Sequence, residues 1–208
     1  MKNRQKTAYN VPKTAINCQF MVKKSRFIVD ISPTSDLNAA KNFIADIKNK
    51  YPDAGHHCWA HVAGEPGGSH VLGFSDDGEP NGTAGKPMLN VLLGSDLGDI
   101  TAVITRYFGG IKLGTGGLVR AYGGSLNQAM QQLDIANKIP LVNIIGSSDY
   151  THQQVIEQVL QAYEIVDIDK QFGDKVVWCV KMDARQAKDA IHIITERTSA
   201  NAQFEVEE

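Results

Sequence analysis

Beyond Lys138-Ile139-Pro140 the chain carries a sequence of hydrophobic periods that few folds accommodate. Leu141–Ser147 reads as a strand, Thr151–Tyr163 as a helix with Val155, Ile156, Val159 and Leu160 on one face, and Glu164–Asp169 as a strand. Lys175–Met182 is then a strand, Ala184–Arg197 a helix and Ala202–Val206 a last strand. The order β-α-β-β-α-β is the split βαβ arrangement of a ferredoxin-like domain. Its start sets a boundary, giving domains over 1–139 and 140–208.

The first domain mixes the same two periods. Thr14–Val22 and Arg26–Ile31 flank Lys23-Lys24-Ser25 as a hairpin, and Leu37 to Tyr51 recur at helical spacing with Ser35 as N-cap and Pro52 as a stop. His57–Val62 and Ser69–Phe74 read as strands around the turn Glu65-Pro66-Gly67-Gly68. Lys86–Leu93 reads as a short helix, Ile100–Tyr107 as a buried β-branched strand, and Leu118–Asn137 as a long helix. The fold class is therefore α+β, with two α/β sandwich domains.

Composition excludes several classes. Of 208 residues, 42% are hydrophobic and 21% charged, as in ordinary globular proteins. No apolar run reaches membrane-spanning length, and the polar start MKNRQKTAYN lacks a secretory core, so neither membrane nor export is expected. Three separated cysteines (Cys18, Cys58, Cys179) fit a reducing cytoplasm. The net charge of −2 is uneven: residues 1–139 hold 15 Lys+Arg against 11 Asp+Glu, whereas 140–208 hold 6 against 12. A basic part next to an acidic one suits a polyanionic partner for the first, though two domains of differing surface would look the same.

The chemistry concentrates between Phe74 and Gly124, in two glycine-dense loops. In the first, Asp76, Asp77 and Glu79 precede Asn81-Gly82-Thr83-Ala84-Gly85-Lys86. This is no P-loop: Pro80 stands where the first glycine belongs and Pro87 where the magnesium-binding hydroxyl belongs. The second loop runs from Phe108 through Gly109, Gly110, Lys112, Gly114, Thr115, Gly116 and Gly117 into a helix bearing Arg120. Free N–H groups at that helix start, with Lys112 and Arg120 close by, would hold an anion. The acidic trio has no metal-binding spacing and is expected to pair with Arg106, Arg120 or Lys86, tying the loops together. His56, His57, Cys58 and His61 alternate across a strand and converge on neither a zinc site nor a nucleophile pair. Lys2, Arg4, Lys6, Lys13, Lys23, Lys24 and Arg26 form a scattered basic set without a ribonucleoprotein signature.

These residues resemble the IMPACT family. The likeness runs through Lys24-Ser25-Arg26-Phe27, His57-Cys58, Ser75–Pro80, Gly82-Thr83-Ala84-Gly85, Thr105–Gly110 and Leu113–Tyr122, and covers nearly the whole chain. The resemblance implies a first domain like domain IV of EF-G, with a ribosomal-protein-like βαβ fold, and a second like its domain V. It implies no catalytic residues, cofactor or metal. Together with the charge asymmetry it suggests a non-enzymatic, cytoplasmic protein that regulates translation by binding RNA or the ribosome. Phosphates would meet Lys86, Arg106, Lys112, Gly114, Thr115, Gly116, Gly117 and Arg120. His57, Asp76, Asp77, Glu79, Gly82, Thr83, Gly85, Tyr107, Gly109 and Gly110 would shape the loops and the cleft, with His57 at its edge. The acidic second domain would meet a protein partner. An enzyme or binder for a small phosphorylated compound, and a protein-interaction module, are the competing readings.

Overall fold

The computed structural model describes residues 8–66 and 71–207. The basic residues Lys2, Arg4 and Lys6 and the turn glycines Gly67 and Gly68 lie outside that range. The chain divides into two compact units, with the first ending at Lys138.

In the first unit, β1 (Tyr9–Pro12), β2 (Ile16–Val22) and β3 (Ser25–Pro33) precede α1 (Leu37–Lys50), β4 (His56–Ala63), β5 (Val71–Ser75), α2 (Gly85–Gly94), β6 (Ile100–Tyr107), α3 (Thr115–Met130) and β7 (Ile135–Lys138). Five strands form one antiparallel sheet in the order β2-β3-β6-β4-β5. Alternation assigns each side chain to a face. Phe27, Val29, Ile31, Cys58, Ala60, Val62, Ile100, Ala102 and Ile104 form a core with Met88 and Leu92 of α2 and Leu118, Tyr122 and Leu126 of α3. The intervening residues face α1, where Lys50 Nζ lies 3.3 Å from the buried Asp30 carboxylate.

The β2–β3 hairpin turns on Lys23 and Lys24 alone, both left-handed (φ 43° and 67°), and Ser25 already pairs with Val22. A two-residue turn of this hand matches the strands' twist. The N-cap of α1 is Asp36 rather than Ser35: its Oδ1 accepts from the N–H of Asn38 and Ala39 at 2.8 and 2.9 Å.

The long helix stops at Met130, short of the expected Asn137. Residues 135–138 instead pair with β1 as a separate two-stranded sheet, Tyr9 opposite Lys138. Asp99 fixes this arrangement. Its carboxylate accepts from Tyr9 Oη at 2.7 Å, Lys138 Nζ at 2.5 Å and the Gly64 N–H at 2.8 Å. A buried carboxylate with three donors outweighs helix propensity over one turn.

The second unit follows the expected order: β8 (Leu141–Ser148), α4 (Gln153–Leu160), β9 (Ile165–Phe172), β10 (Val176–Asp183), α5 (Ala187–Arg197) and β11 (Gln203–Val206). Its antiparallel sheet runs β11-β8-β10-β9, the ferredoxin-like order. Val176, Trp178, Val180 and Met182 face the helices, and the fully buried Trp178 donates Nε1–H to Ser148 Oγ at 2.9 Å. Among the described residues no helix is long and apolar enough to cross a membrane.

Candidate anion-binding site

The first glycine loop already holds an anion, supplied by the chain itself. Asp76 turns back so that Oδ1 accepts the N–H of Ala84 and Gly85, both at 2.9 Å, while Oδ2 accepts that of Gly82 at 2.8 Å. These are the donors at the start of α2, where a helix stabilises negative charge. The loop is no P-loop, yet its backbone donors do hold an anion, with an aspartate as occupant. Thr83 closes the turn by donating Oγ1–H to the Pro80 carbonyl at 2.6 Å. Lys86 lies in the first turn of α2, exposed.

The other two acidic residues of that loop are bound as well. Asp77 accepts the His57 N–H at 2.7 Å and Lys48 Nζ at 2.9 Å. Burial pushes its carboxyl up, but those bonds outweigh it and hold the group below the usual aspartate value. Glu79 is buried, and its Oε1 accepts from Arg106 Nη1 and Tyr122 Oη, both at 2.7 Å. The Tyr122 ring meets Phe27 edge-on at 5.2 Å between centroids.

This geometry corrects the reading of Arg106 as a phosphate ligand. Only 6% of the residue is exposed, and its charge is neutralised inside the molecule by Glu79. Its Nη2 reaches Ser25 Oγ at 3.4 Å, which also accepts the Gly109 N–H at 3.3 Å. Arg106 thus joins the first loop, the hairpin and the second loop from within. Gly109 allows that junction: a Cβ there would stand 1.9 Å from the Lys24 carbonyl oxygen. Tyr107 caps the strand end outside, its hydroxyl donating to Asp53 Oδ1 at 2.8 Å beneath Arg26. Gly110 follows, exposed, at φ 83°.

His57 is also repositioned. It is buried on the α1 face of the sheet, with Nε2 2.9 Å from the Tyr51 carbonyl oxygen. Arg106 belongs to the opposite face, so His57 does not edge the proposed surface. Cys58 is enclosed too. Its thiol donates to the Asp76 carbonyl at 3.0 Å, and burial pushes its pKa up to about 12. We expect Cys58 to resist iodoacetamide at pH 8 in the folded protein and react freely in urea, as mass spectrometry of tryptic peptides would show. Alkylation of the native protein at the unfolded rate would contradict this placement.

The second loop differs from the first: among the described residues no side chain is seen to accept from the first N–H groups of α3, whose N-cap is Gly114, at φ 71°. Gly114, Thr115 and Gly116 are exposed, as are Lys112 and Arg120. Gly117 is half-buried against Leu113, whose Cβ would lie 3.1 Å from an added methyl. Arg120 folds back over the first turn, with Nη1 3.7 Å from where a Gly116 Cβ would be. From there a groove of about 280 Å³ runs between α3 and β2, passing Lys23, Met21, Gly124 and Gln128. Among the described residues no carboxylate pairs with Lys23, Lys24, Lys112 or Arg120. Nor do three His, Cys, Asp or Glu side chains converge to hold a metal ion. Ser25, Lys48 and Tyr122 are the participants that residue-by-residue reading overlooked. Tyr122 alone carried a signal, at the i+4 position from Leu118 on the buried face of α3.

Comparison with known proteins agrees with this architecture. Residues 23–130 match the family model described as the Impact N-terminal domain. The IMPACT family member YigZ of Escherichia coli is 51% identical over 150 residues, 72% of this chain and 74% of that one. An IMPACT family member of Haemophilus influenzae is 43% identical over 92% of this chain and 93% of its own. A crystal structure of a hypothetical protein, 41% identical, superposes with a TM-score of 0.76 and covers 97% of this chain and 98% of that one. Fold, motif placement and these identities over most of the length lead to one conclusion: the chain belongs to the IMPACT family.

Proposed function

We propose that this protein regulates translation by binding RNA, on the ribosome or free, through the start of α3 and not through the first loop or Arg106. One observation carries the reading. Two similar glycine-rich helix starts lie in the same unit, and one is filled by Asp76 while the other, formed by the exposed residues Gly114, Thr115 and Gly116, is flanked by Lys112 and Arg120. Phosphate oxygens are the acceptors that suit such a place. Lys23, exposed on a tight turn, extends the positive surface along the groove, with the exposed Lys24 next to it in the turn. Lys86 adds charge from α2. An apolar groove edge formed by Met21 offers contact to bases without demanding a sequence.

The protein acts by binding rather than by turnover. The acidic residues of the first loop are engaged with backbone donors or cations, Cys58 is a buried thiol, and among the described residues no carboxylate, imidazole or thiol lines the groove beside the α3 start. Gel-shift titration with single-stranded RNA tests this. Each phosphate contacted contributes roughly 0.7 to the log–log salt slope, so Lys112→Ala/Arg120→Ala should flatten it by about 1.4 and weaken binding on the order of tenfold. An unchanged slope in that variant would overturn the assignment.

A further inference from the structure

The second unit has a sheet face that none of its own helices covers. Register defines it row by row. Glu205 of β11, Ile145 of β8, Cys179 of β10 and Asp169 of β9 lie side by side across the sheet. The next row is Gln203, Ser147, Val177 and Gln171, and on the other side Lys181 lies between Asn143 and Asp167. The residues alternating with these on β10, Val176, Trp178, Val180 and Met182, take up the helix side. The uncovered face is therefore an apolar centre (Ile145, Cys179, Val177) between two acidic margins, with Ser147 beside Val177 and the exposed Lys181 at the Asn143 end of the central strands. Val177 is 49% exposed there. Asp167 and Asp169 form one margin, Glu205 and Glu207 the other, all exposed. Among the described residues none of the four pairs with a lysine or arginine; Glu207 accepts a hydrogen bond from Asn143 Nδ2 at 2.7 Å.

We infer that this face docks a cationic amphipathic helix of a partner protein. Strands are spaced about 4.8 Å apart, so the margins stand about 14 Å from each other. An α-helix with its side chains is about 10–12 Å across. Laid along the strands, such a helix would put an apolar stripe on Val177, Ile145 and Cys179, with lysines or arginines on both flanks reaching the carboxylates. The same charges exclude other occupants. Nucleic acid would bring phosphates against the margins. A second copy docking face to face would oppose carboxylate to carboxylate, because a two-fold contact repeats one patch. The inference does not depend on the RNA reading, whose residues lie in the other unit.

The test uses the full-length protein, isotopically labelled, and a synthetic 18-residue helical peptide with leucines on one face and lysines flanking them. A peptide with glutamates in place of the lysines serves as control. The lysine peptide should shift the amides of Ile145, Val177, Cys179 and Glu205, and its affinity should drop at least tenfold in Asp169→Lys/Glu205→Lys. The glutamate peptide should not bind. RNA gel shifts of that variant should equal wild type, which separates failure here from failure of the α3 site. Peptide shifts on another surface, undiminished affinity in the variant, RNA-induced shifts on this face, or a dimer that the charge reversal alters would each overturn the inference.

Discussion

Glu79→Ala should be among the most damaging single substitutions in the first unit, lowering unfolding free energy by about 3–5 kcal/mol in urea denaturation. The residue itself contributes little apolar burial; the cost lies in what it leaves behind. Arg106 would keep a buried charge without its partner, and Tyr122 Oη would lose its acceptor. The Arg106 Nε is already without a hydrogen-bond partner among the described residues, and the long 3.4 Å contact of Nη2 to Ser25 Oγ brings no compensating negative charge. Removing both charges is a different experiment. Glu79→Leu/Arg106→Met should recover most of the loss, since a buried pair replaced by apolar groups of similar volume is often neutral. Equal stability of Glu79→Ala and wild type would mean that Arg106 reaches solvent, which would restore it as a candidate phosphate ligand.

Asp76→Ala comes next, at roughly 2–4 kcal/mol, because one carboxylate satisfies three backbone donors. The loss should localise. Amide hydrogen exchange at Gly82, Ala84 and Gly85 should accelerate well before that of β6, since those N–H groups lose their acceptor while the strand ladder stays paired. Asp76→Asn, which keeps one acceptor oxygen, should cost less. Exchange that rises equally across the sheet would show Asp76 to be a general core residue rather than the local occupant of the α2 start.

How far these features were legible differs by scale. The second unit was readable element by element because its strands alternate cleanly, as Val176, Trp178, Val180 and Met182 do against Val177, Cys179 and Lys181. The end of α3 was not, because Ile135–Lys138 has no decisive period and its strand exists only by pairing with Tyr9–Pro12 at the far end of the unit. The loops show the same division. Their glycines pointed to close approach, which occurs at Gly109; the anion-holding backbone was expected at the α3 start, whereas the internal anion, Asp76, sits in the other loop, where sequence reading had only ruled out a P-loop. Which acid meets which base is a tertiary fact. Glu79 had Arg106, Arg120 and Lys86 as sequence candidates, and only the end position of Arg106 on β6, above Phe27 and Tyr122, selects among them. That selection takes Arg106 out of the proposed recognition surface, which then rests on Lys112 and Arg120.

The α3 start, unlike the α2 start, is proposed to receive an external phosphate. Amide chemical shifts during titration with a short single-stranded RNA test it most directly. Movement is expected at Thr115, Gly116 and Gly117, abolished in Lys112→Ala/Arg120→Ala, with Gly82, Ala84 and Gly85 unmoved. Shifts at Gly82–Gly85 with Thr115–Gly117 unmoved would contradict it.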